Sequence, residues 1–513
     1  MNKKESKNKY ERVMELAKKR GFIWPSFEIY GGAAGFYDLG PKGAPLKEKL
    51  MDKWRDFYIV KEGCLELDSP NIFPEDVLKA SGHVDHFTDV MIECSKCEET
   101  YEVTTLIKEF TGEDLEGQSN EDMQEKIESE RIKCPKCGGS LQNIHDFNTM
   151  FPTGIGPKQD SPAYLRPETA QSIFVDFNRL KRIARKKLPF GVVQTGRGYR
   201  NEISPRNGMI RLREFTMAEA EIFYDPQSPE HPKFERVKGE KLRLWPAERQ
   251  ESDNQDYIEI SVEDAVDKDL IYNELLAYHM AYAKKFLLSI GIPKNEIRLR
   301  QQVPGELAHY SDETWDLEVN TEDFGWVEVA GIAYRTDYDL KQHDESSNTD
   351  MSLYFHEEGE EEGKKLIPHV VEPSFGMDRV LYCMMEHSFE ESDNGSRFRF
   401  KKDLAPIDAK VFPLITDDGL PEKSREILEK LKDYSILARY DDSGSIGRRY
   451  ARADEIGVPY CITVDHQTLE DSTVTIRDRD STDQIRVKIE NLPKIIRDLL
   501  ADRTEFEKSG EKV

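Results

Sequence analysis

No stretch of this 513-residue chain approaches the roughly 18 consecutive apolar residues that a membrane helix needs, so a helical membrane span is excluded. The start, Met1-Asn2-Lys3-Lys4-Glu5-Ser6-Lys7, is charged with no apolar segment behind it, and we expect a cytoplasmic protein with no membrane partner. Positive charge is in deficit: 73 Lys and Arg stand against 99 Asp and Glu, a net charge of -26. Neutralisation of phosphates by Lys and Arg dominates nucleic-acid affinity, so indiscriminate polyanion binding is disfavoured and any such contact has to be a local basic groove. Cysteines are few, seven and therefore odd in number, and four fall in two Cys-x-x-Cys pairs. That usage argues against a disulfide framework and for a reducing compartment with a metal. Cys64, Cys383 and Cys461 read as core thiols. The glycine-rich Gly31-Gly32-Ala33-Ala34-Gly35-Phe36 lacks the Gly-Lys-Ser/Thr end of a phosphate loop and reads as a tight turn near a pocket. With 37% hydrophobic residues the chain has apolar material for ordinary cores in two to four domains.

The richest stretch runs from Gly198 to Phe223. The apolar run Gly191–Gln194 reads as a buried strand, Ser204-Pro205-Arg206-Asn207-Gly208 is turn chemistry, and a second strand rich in Arg and Phe follows. The pattern predicts a hairpin carrying Arg200, Arg206, Arg211 and Arg213 on its strands. Guanidinium forks pair with phosphate oxygens, and Phe215 offers a ring to stack on a base, so the hairpin suits a nucleotide. A solvated edge hairpin of mixed charge is the plain alternative. Further along, Val371-Glu372-Pro373-Ser374-Phe375-Gly376-Met377-Asp378-Arg379 leads into apolar Val380–Met385, a strand entering a helix with one arginine on its first turn.

These two segments resemble motifs 2 and 3 of class II aminoacyl-tRNA synthetases. Arg166-Pro167-Glu168-Thr169-Ala170-Gln171, the Arg-Asn-Glu-Ile-Ser-Pro-Arg turn, Gly325-Trp326-Val327-Glu328 and Glu372-Pro373-Ser374 together resemble the dimeric glycyl-tRNA synthetases of archaea and eukaryotes, over roughly residues 10–500. The resemblance implies an α+β fold with a class II antiparallel β-sheet catalytic domain flanked by helices. That domain covers residues 1–89 and 146–404, with motif 1 at about 45–72, motif 2 at about 191–223 and motif 3 at about 371–386. A zinc-knuckle insertion at 90–145 and a second insertion at 225–269, rich in Pro, Glu and Lys, interrupt it, and an α/β anticodon-binding domain follows at 405–513. The implied activity is glycine–tRNA ligation by a homodimer: glycine and ATP give glycyl adenylate and pyrophosphate, and glycine passes to the 3' end of tRNA(Gly). Diadenosine tetraphosphate synthesis is a further reaction of the same adenylate. Two alternatives are another class IIa enzyme, prolyl or threonyl, and a non-catalytic synthetase-like subunit that binds nucleic acid.

Adenylate formation needs no protein nucleophile, so catalysis is positioning and charge neutralisation. The resemblance assigns Arg200 to the α-phosphate and the substrate carboxylate, Glu202 to the adenine amino group and Phe215 to stacking under adenine. Arg211 and Arg379 are assigned to the β- and γ-phosphates, with Asn201, Leu212, Arg213, Glu214, Thr216 and Val329 completing the ATP site. Glu328 is the candidate Mg²⁺ ligand, since Mg²⁺ takes carboxylate and phosphate oxygens together. Glycine has no side chain to grip, so recognition falls on its ammonium and on closing the space beside Cα. Glu168, Glu219 and Glu372 match acidic positions of glycyl enzymes, with Thr216, Pro373 and Ser374 defining the wall. Asp378 stands where motif 3 often has Glu, with little consequence expected.

Cys94-Ser95-Lys96-Cys97 and Cys134-Pro135-Lys136-Cys137-Gly138-Gly139 are spaced as two knuckles for tetrahedral structural Zn²⁺, which would fold an otherwise coreless insertion. His83 and His86 are spaced like a metal pair but read better as hydrogen-bonding residues at the mouth of the site. Beyond about Leu404 strands and helices alternate, predicting a small sheet with a parallel component. From 405 onward 18 Lys and Arg face 23 Asp and Glu, so tRNA contact there has to be a local stripe. Arg448, Arg449 and Arg452 are its candidates. The acidic run Glu357–Gly363 reads as an exposed loop.

Overall fold

The computed structural model describes residues 7–113, 115, 118–203, 205, 208–250, 257–355, 363–392 and 395–513. Arg206, in the predicted turn, and most of the acidic run Glu357–Gly363 lie outside these residues.

Nine strands build the central sheet: β1 (Leu65–Leu67), β2 (Phe190–Tyr199), β3 (Glu214–Tyr224), β4 (Lys241–Trp245), β5 (Ile258–Ser261), β6 (Ile297–Gln301), β7 (Glu313–Thr321), β8 (Gly325–Thr336) and β9 (His369–Gly376). Their spatial order is β5-β4-β6-β7-β8-β9-β3-β2-β1. Pairing is antiparallel except where β1 meets β2 and β4 meets β6. The Pro-, Glu- and Lys-rich stretch read as an excursion from the core therefore belongs in part to it, because β4 and β5 extend one edge of this sheet.

Four helices matter for the site: α1 (Lys9–Arg20), α2 (Gly43–Arg55), α3 (Glu274–Ser289) and α4 (Met377–Ser388). Asn8 and Glu11 close α1 with a reciprocal capping box, and Gly21 ends it in the left-handed region at φ 76°. The Asn273 side chain accepts from Leu276 N to cap α3, whose apolar residues face inward almost all round because it packs across β7, β8 and β9. One hydrophobic cluster joins these helices to the sheet through Leu50, Trp54, Phe286, Trp315, Phe375 and Leu381.

The segment carrying the cysteine pairs folds into a three-stranded sheet (Thr88–Cys94, Thr100–Glu102, Leu141–Asn148) with the helices Val103–Thr111 and Asn120–Ser129. It is not coreless: Ile92, Tyr101, Leu106, Ile107, Met123 and Ile127 are buried together. Toward the C-terminus a second sheet runs in the order Ala438–Tyr440, Ala409–Pro413, Tyr460–Val464, Thr473–Asp478, Gln484–Lys488, Glu511–Lys512, its first three strands parallel. This unit has its own core around Val411, Leu431, Ile462 and Ile496. It also docks on the first through Arg479, whose guanidinium donates to the carbonyls of Gly457 and Phe400, each at 2.8 Å.

Candidate active site

β2 and β3 pair without interruption from Phe190 opposite Phe223 to Tyr199 opposite Glu214. Arg200, Arg211 and Arg213 lie in the loop that joins the two strands, not on them. Three ties hold that loop: Arg200 N donates to Arg213 O at 3.0 Å, Asn201 N to Thr149 O at 2.6 Å, and the Arg213 guanidinium to the carbonyls of Glu202 and Ala34. Arg213 is thus spent on holding the loop. Gly198 lies under Phe215, where a Cβ would come within 2.7 Å of the ring, so only glycine lets the aromatic lie across β2.

Strand alternation decides which neighbours reach the cavity of about 210 Å³ that opens here. Phe215, Met217 and Glu219 line it, whereas Glu214 turns the other way toward Arg197 and Thr216 is buried behind β3. The same rule places Glu372 and Ser374 in the wall and leaves Pro373 out of it, while Val329 sits in the core. Glu214, Thr216, Pro373 and Val329, assigned to ligands by the resemblance, therefore do not line the cavity.

Glu168, Glu219 and Glu372 all line this cavity and are all buried. Glu219 accepts from Thr169 N at 2.6 Å, from the Thr169 hydroxyl, and from Ser374 Oγ at 2.6 Å. Burial and the neighbouring Glu168 push its carboxyl above the usual range, and these three donors pull it back. Glu168 accepts from Gln171 Nε2 at 2.9 Å and lies 3.3 Å from His83 Nε2. His83 and Arg335 hold it well below the usual range despite its burial. His83 is thus a partner of Glu168, with its other ring nitrogen 2.8 Å from Ser81 Oγ.

Arg335 was not singled out from the sequence. Fully buried on β8, it donates to both oxygens of Glu372 at 2.9 and 3.0 Å and to both of Asp339 at 2.9 Å, and lies 3.7 Å from the centre of the Tyr310 ring. Burial, reinforced by Glu219 and Glu168 and opposed by Arg335, pushes Glu372 up to about 8. Behind them Glu221 is fully buried with no hydrogen-bond partner on either carboxyl oxygen, and its burial beside Glu372 holds its carboxyl well above the usual range.

Arg200 sits between two rings, its guanidinium 4.9 Å from the centre of Phe87 and 5.5 Å from that of Phe215. Its Nε is buried without a partner. Arg379 donates to Ile210 O at 2.9 Å and to Glu328 at 3.0 Å through the carbonyl and 3.1 Å through Oε2. Arg211 is caged by acids: it pairs with Glu202, with Glu102 at 3.1 Å and with Asp89 at 3.9 Å. Glu102 and Asp89 come from the cysteine-bearing segment, and burial with Glu102 and Glu202 nearby raises Asp89 to about 6. Asp378 has more consequence than the sequence suggested. Its Oδ2 accepts from Thr216 N at 2.5 Å and its Oδ1 lies 3.1 Å from Lys47 Nζ, which also donates to the Thr216 hydroxyl. Buried Lys47, on α2, therefore locks that helix, β3 and α4 together.

The sulfurs of Cys94, Cys97, Cys134 and Cys137 lie within 4.8 Å of one another, with 3.5 Å between Cys94 and Cys137 and 3.6 Å between Cys97 and Cys134. These separations are too long for disulfides and suit four thiolates on one ion with bonds near 2.3 Å. Gly139 has to be glycine, since a Cβ there would meet Cys94 Sγ at 2.9 Å. Among the described residues this is the group of three or more metal-capable side chains. Glu328 stands apart from it beside Arg379. In the C-terminal unit Arg448 is exposed, but Arg449 is buried and spent on the carbonyls of Gly444 and Pro413, and Arg452 pairs with Asp441 at 2.8 Å.

Residues 157–238 match the tRNA synthetase class II core domain (G, H, P, S and T), and residues 405–499 match the anticodon binding domain. The glycine–tRNA ligase of Methanocaldococcus jannaschii is 45% identical, over 97% of this chain and 100% of its own. The chain belongs to the glycine–tRNA ligase family. That of Pyrococcus horikoshii is 46% identical over 96% of this chain and 99% of its own. Among solved structures, a threonyl-tRNA synthetase from Cryptosporidium parvum, described as its RNA binding domain, covers 95% of this chain and 97% of its own with a TM-score of 0.59. At 18% identity that likeness concerns the fold, and it matches the α+β architecture of the family described above. No helix among the described residues is long and apolar enough to cross a membrane.

Proposed function

We propose that the chain activates glycine with ATP and charges tRNA(Gly), acting as a homodimer with Mg²⁺. The observation that carries this reading is that buried Glu168, Glu219 and Glu372 share the lining of one cavity with Arg200, Arg211 and Arg379. Three carboxyls suit an ammonium, and a wall closed beside the substrate Cα would give a methyl group a steric penalty, which makes editing unnecessary. Arg200 takes the substrate carboxylate and the α-phosphate, so the negative charge that builds on phosphorus as pyrophosphate leaves meets an unpaired guanidinium. Phe215 stacks under adenine and Glu202 accepts from its amino group. Arg211 and Arg379 hold the β- and γ-phosphates, Arg211 in competition with Glu102. Mg²⁺ would sit against Glu328 and the phosphates. A structural zinc ion on the four cysteines would brace the strands that carry Asp89 and Glu102. In the C-terminal unit, Arg448 and Arg452 would meet tRNA, Arg452 in competition with Asp441, with Arg449 serving the fold.

Amino-acid-dependent pyrophosphate–ATP exchange over all twenty amino acids tests this directly. Exchange is expected with glycine alone; exchange with proline or threonine means that the pocket is misread, and none with any amino acid leaves a non-catalytic subunit.

A pH series at saturating ATP adds a second check. The Glu372 carboxyl, pushed up to about 8 by burial, must lose its proton to face an ammonium ion as a carboxylate. The KM for glycine is therefore expected to fall as pH rises from 6 to 8, by at most about tenfold per unit. A flat profile would show that this carboxyl is already ionised in the empty site.

A further inference from the structure

We infer that the turn after the helix Phe177–Ile183 is a docking surface for the phosphate backbone of the substrate tRNA, a step that rests on the ligase reading above. Arg182, Arg185, Lys186 and Lys187 are all exposed, and among the described residues none has an ion-pair or side-chain hydrogen-bond partner. No other six-residue stretch of the described chain carries four such cations. The contrast with the rest of this acidic protein is sharp: on α1, Lys18, Lys19 and Arg20 are all spent on Glu28 and Glu455. Lys181 adds a fifth charge, close enough to Lys186, Arg182 and Lys365 to feel their repulsion. Nearby acids are engaged, Asp176 by Arg179, Asp350 by Lys365 and Asp225 by Lys364, which leaves Glu230 in the adjoining hollow.

The turn is built, not loose. Arg185 and Lys186 are both left-handed, at φ 55° and 56°, and Lys186 N closes on Lys181 O at 2.8 Å. Arg185, Lys186 and Lys187 overhang a concave surface of about 880 Å³ that also includes Ser228 and His231. A solvated basic face needs neither feature. In a chain of net charge -26, an unneutralised cluster is where a polyanion finds favourable potential. The cluster stands at the start of β2 and Arg200 just beyond its end, a separation of ten residues or roughly 30 Å at strand rise. It is therefore remote from adenylate chemistry and belongs to the body of the RNA rather than its 3' end.

The test replaces Arg182, Arg185, Lys186 and Lys187 together with Gln and measures binding of a tRNA(Gly) transcript across a salt series, beside glycine-dependent exchange without tRNA. Exchange is expected at the wild-type rate, which also shows that the variant folds. The Kd for tRNA is expected to rise at least tenfold near 150 mM salt, and the slope of log K against log salt to flatten by up to about 3–4 for four phosphates, at roughly 0.7–0.9 each. An unchanged Kd and slope, with wild-type protein charging tRNA normally, sinks the surface and leaves the ligase reading intact. Loss of self-association by sedimentation with tRNA affinity unchanged would assign the cluster to a contact between two copies, which also overturns it. Wild-type protein that neither binds nor charges tRNA would instead remove the ligase reading itself.

Discussion

Replacing Arg200 with alanine is expected to lower the rate of glycine-dependent pyrophosphate exchange by about 10²–10³-fold, the cost of losing one preorganised partner for developing charge. The expectation rests on what Arg200 does not touch. Arg379 shares its charge with Glu328, and Arg211 with Glu102 and Glu202, whereas Arg200 stands between two rings with its buried Nε unpaired. Its charge is shared with no carboxylate in an ion pair, and removing it breaks only the two ring contacts among the described residues. The thermal midpoint of the Arg200→Ala protein should accordingly match wild type. Arg200→Lys restores the charge without the fork and should recover only part of the rate. A rate within tenfold of wild type for the alanine variant would move the α-phosphate contact to another residue.

Arg335→Met is expected to be the most damaging single change to stability at the site, about 3–5 kcal/mol, because it leaves the buried acids Glu372 and Asp339 without their cation. Chemical denaturation with separate probes for the two units would measure it, since a single midpoint need not describe both. The KM for glycine should rise as well, because Glu372 owes its orientation to Arg335. Combining Arg335→Met with Glu372→Gln should cost less than Arg335→Met alone, since only Asp339 is then left as an acid without its cation. If the double variant is worse by the full sum of the singles, the pair is not acting through charge.

The hairpin was legible because arginines, Phe215 and a Ser-Pro turn at fixed offsets leave few other folds for Gly191–Phe223. Its detail was less so. A motif read as a contiguous string credits Glu214 and Thr216 equally with Phe215, but a strand shows successive side chains to opposite faces, and only Phe215, Met217 and Glu219 reach the cavity. Arg335 had a readable signal, an arginine in an apolar strand with Asp339 four residues on, yet its third partner, Glu372, is supplied from 37 residues away by the β8–β9 register. The edge strands β4 and β5 were hidden by composition, since five and four residues amid Pro, Glu and Lys show no period long enough to stand out. The core of the cysteine-bearing segment was hidden similarly, because its apolar residues are spread along a highly charged span.

Lys47 gives the site a mechanical unity that its sequence spacing conceals. A cation on a helix near the N-terminus satisfies a hydroxyl in β3 and a carboxylate at the head of the helix that carries Arg379, all in one buried contact. Neither arginine-bearing segment can shift against α2 without stranding a charge in the interior. Deformation of the cavity has to travel as a rigid displacement of all three, so thermal motion at the site should be confined to the loop bearing Arg200 and Arg211 while its floor stays still.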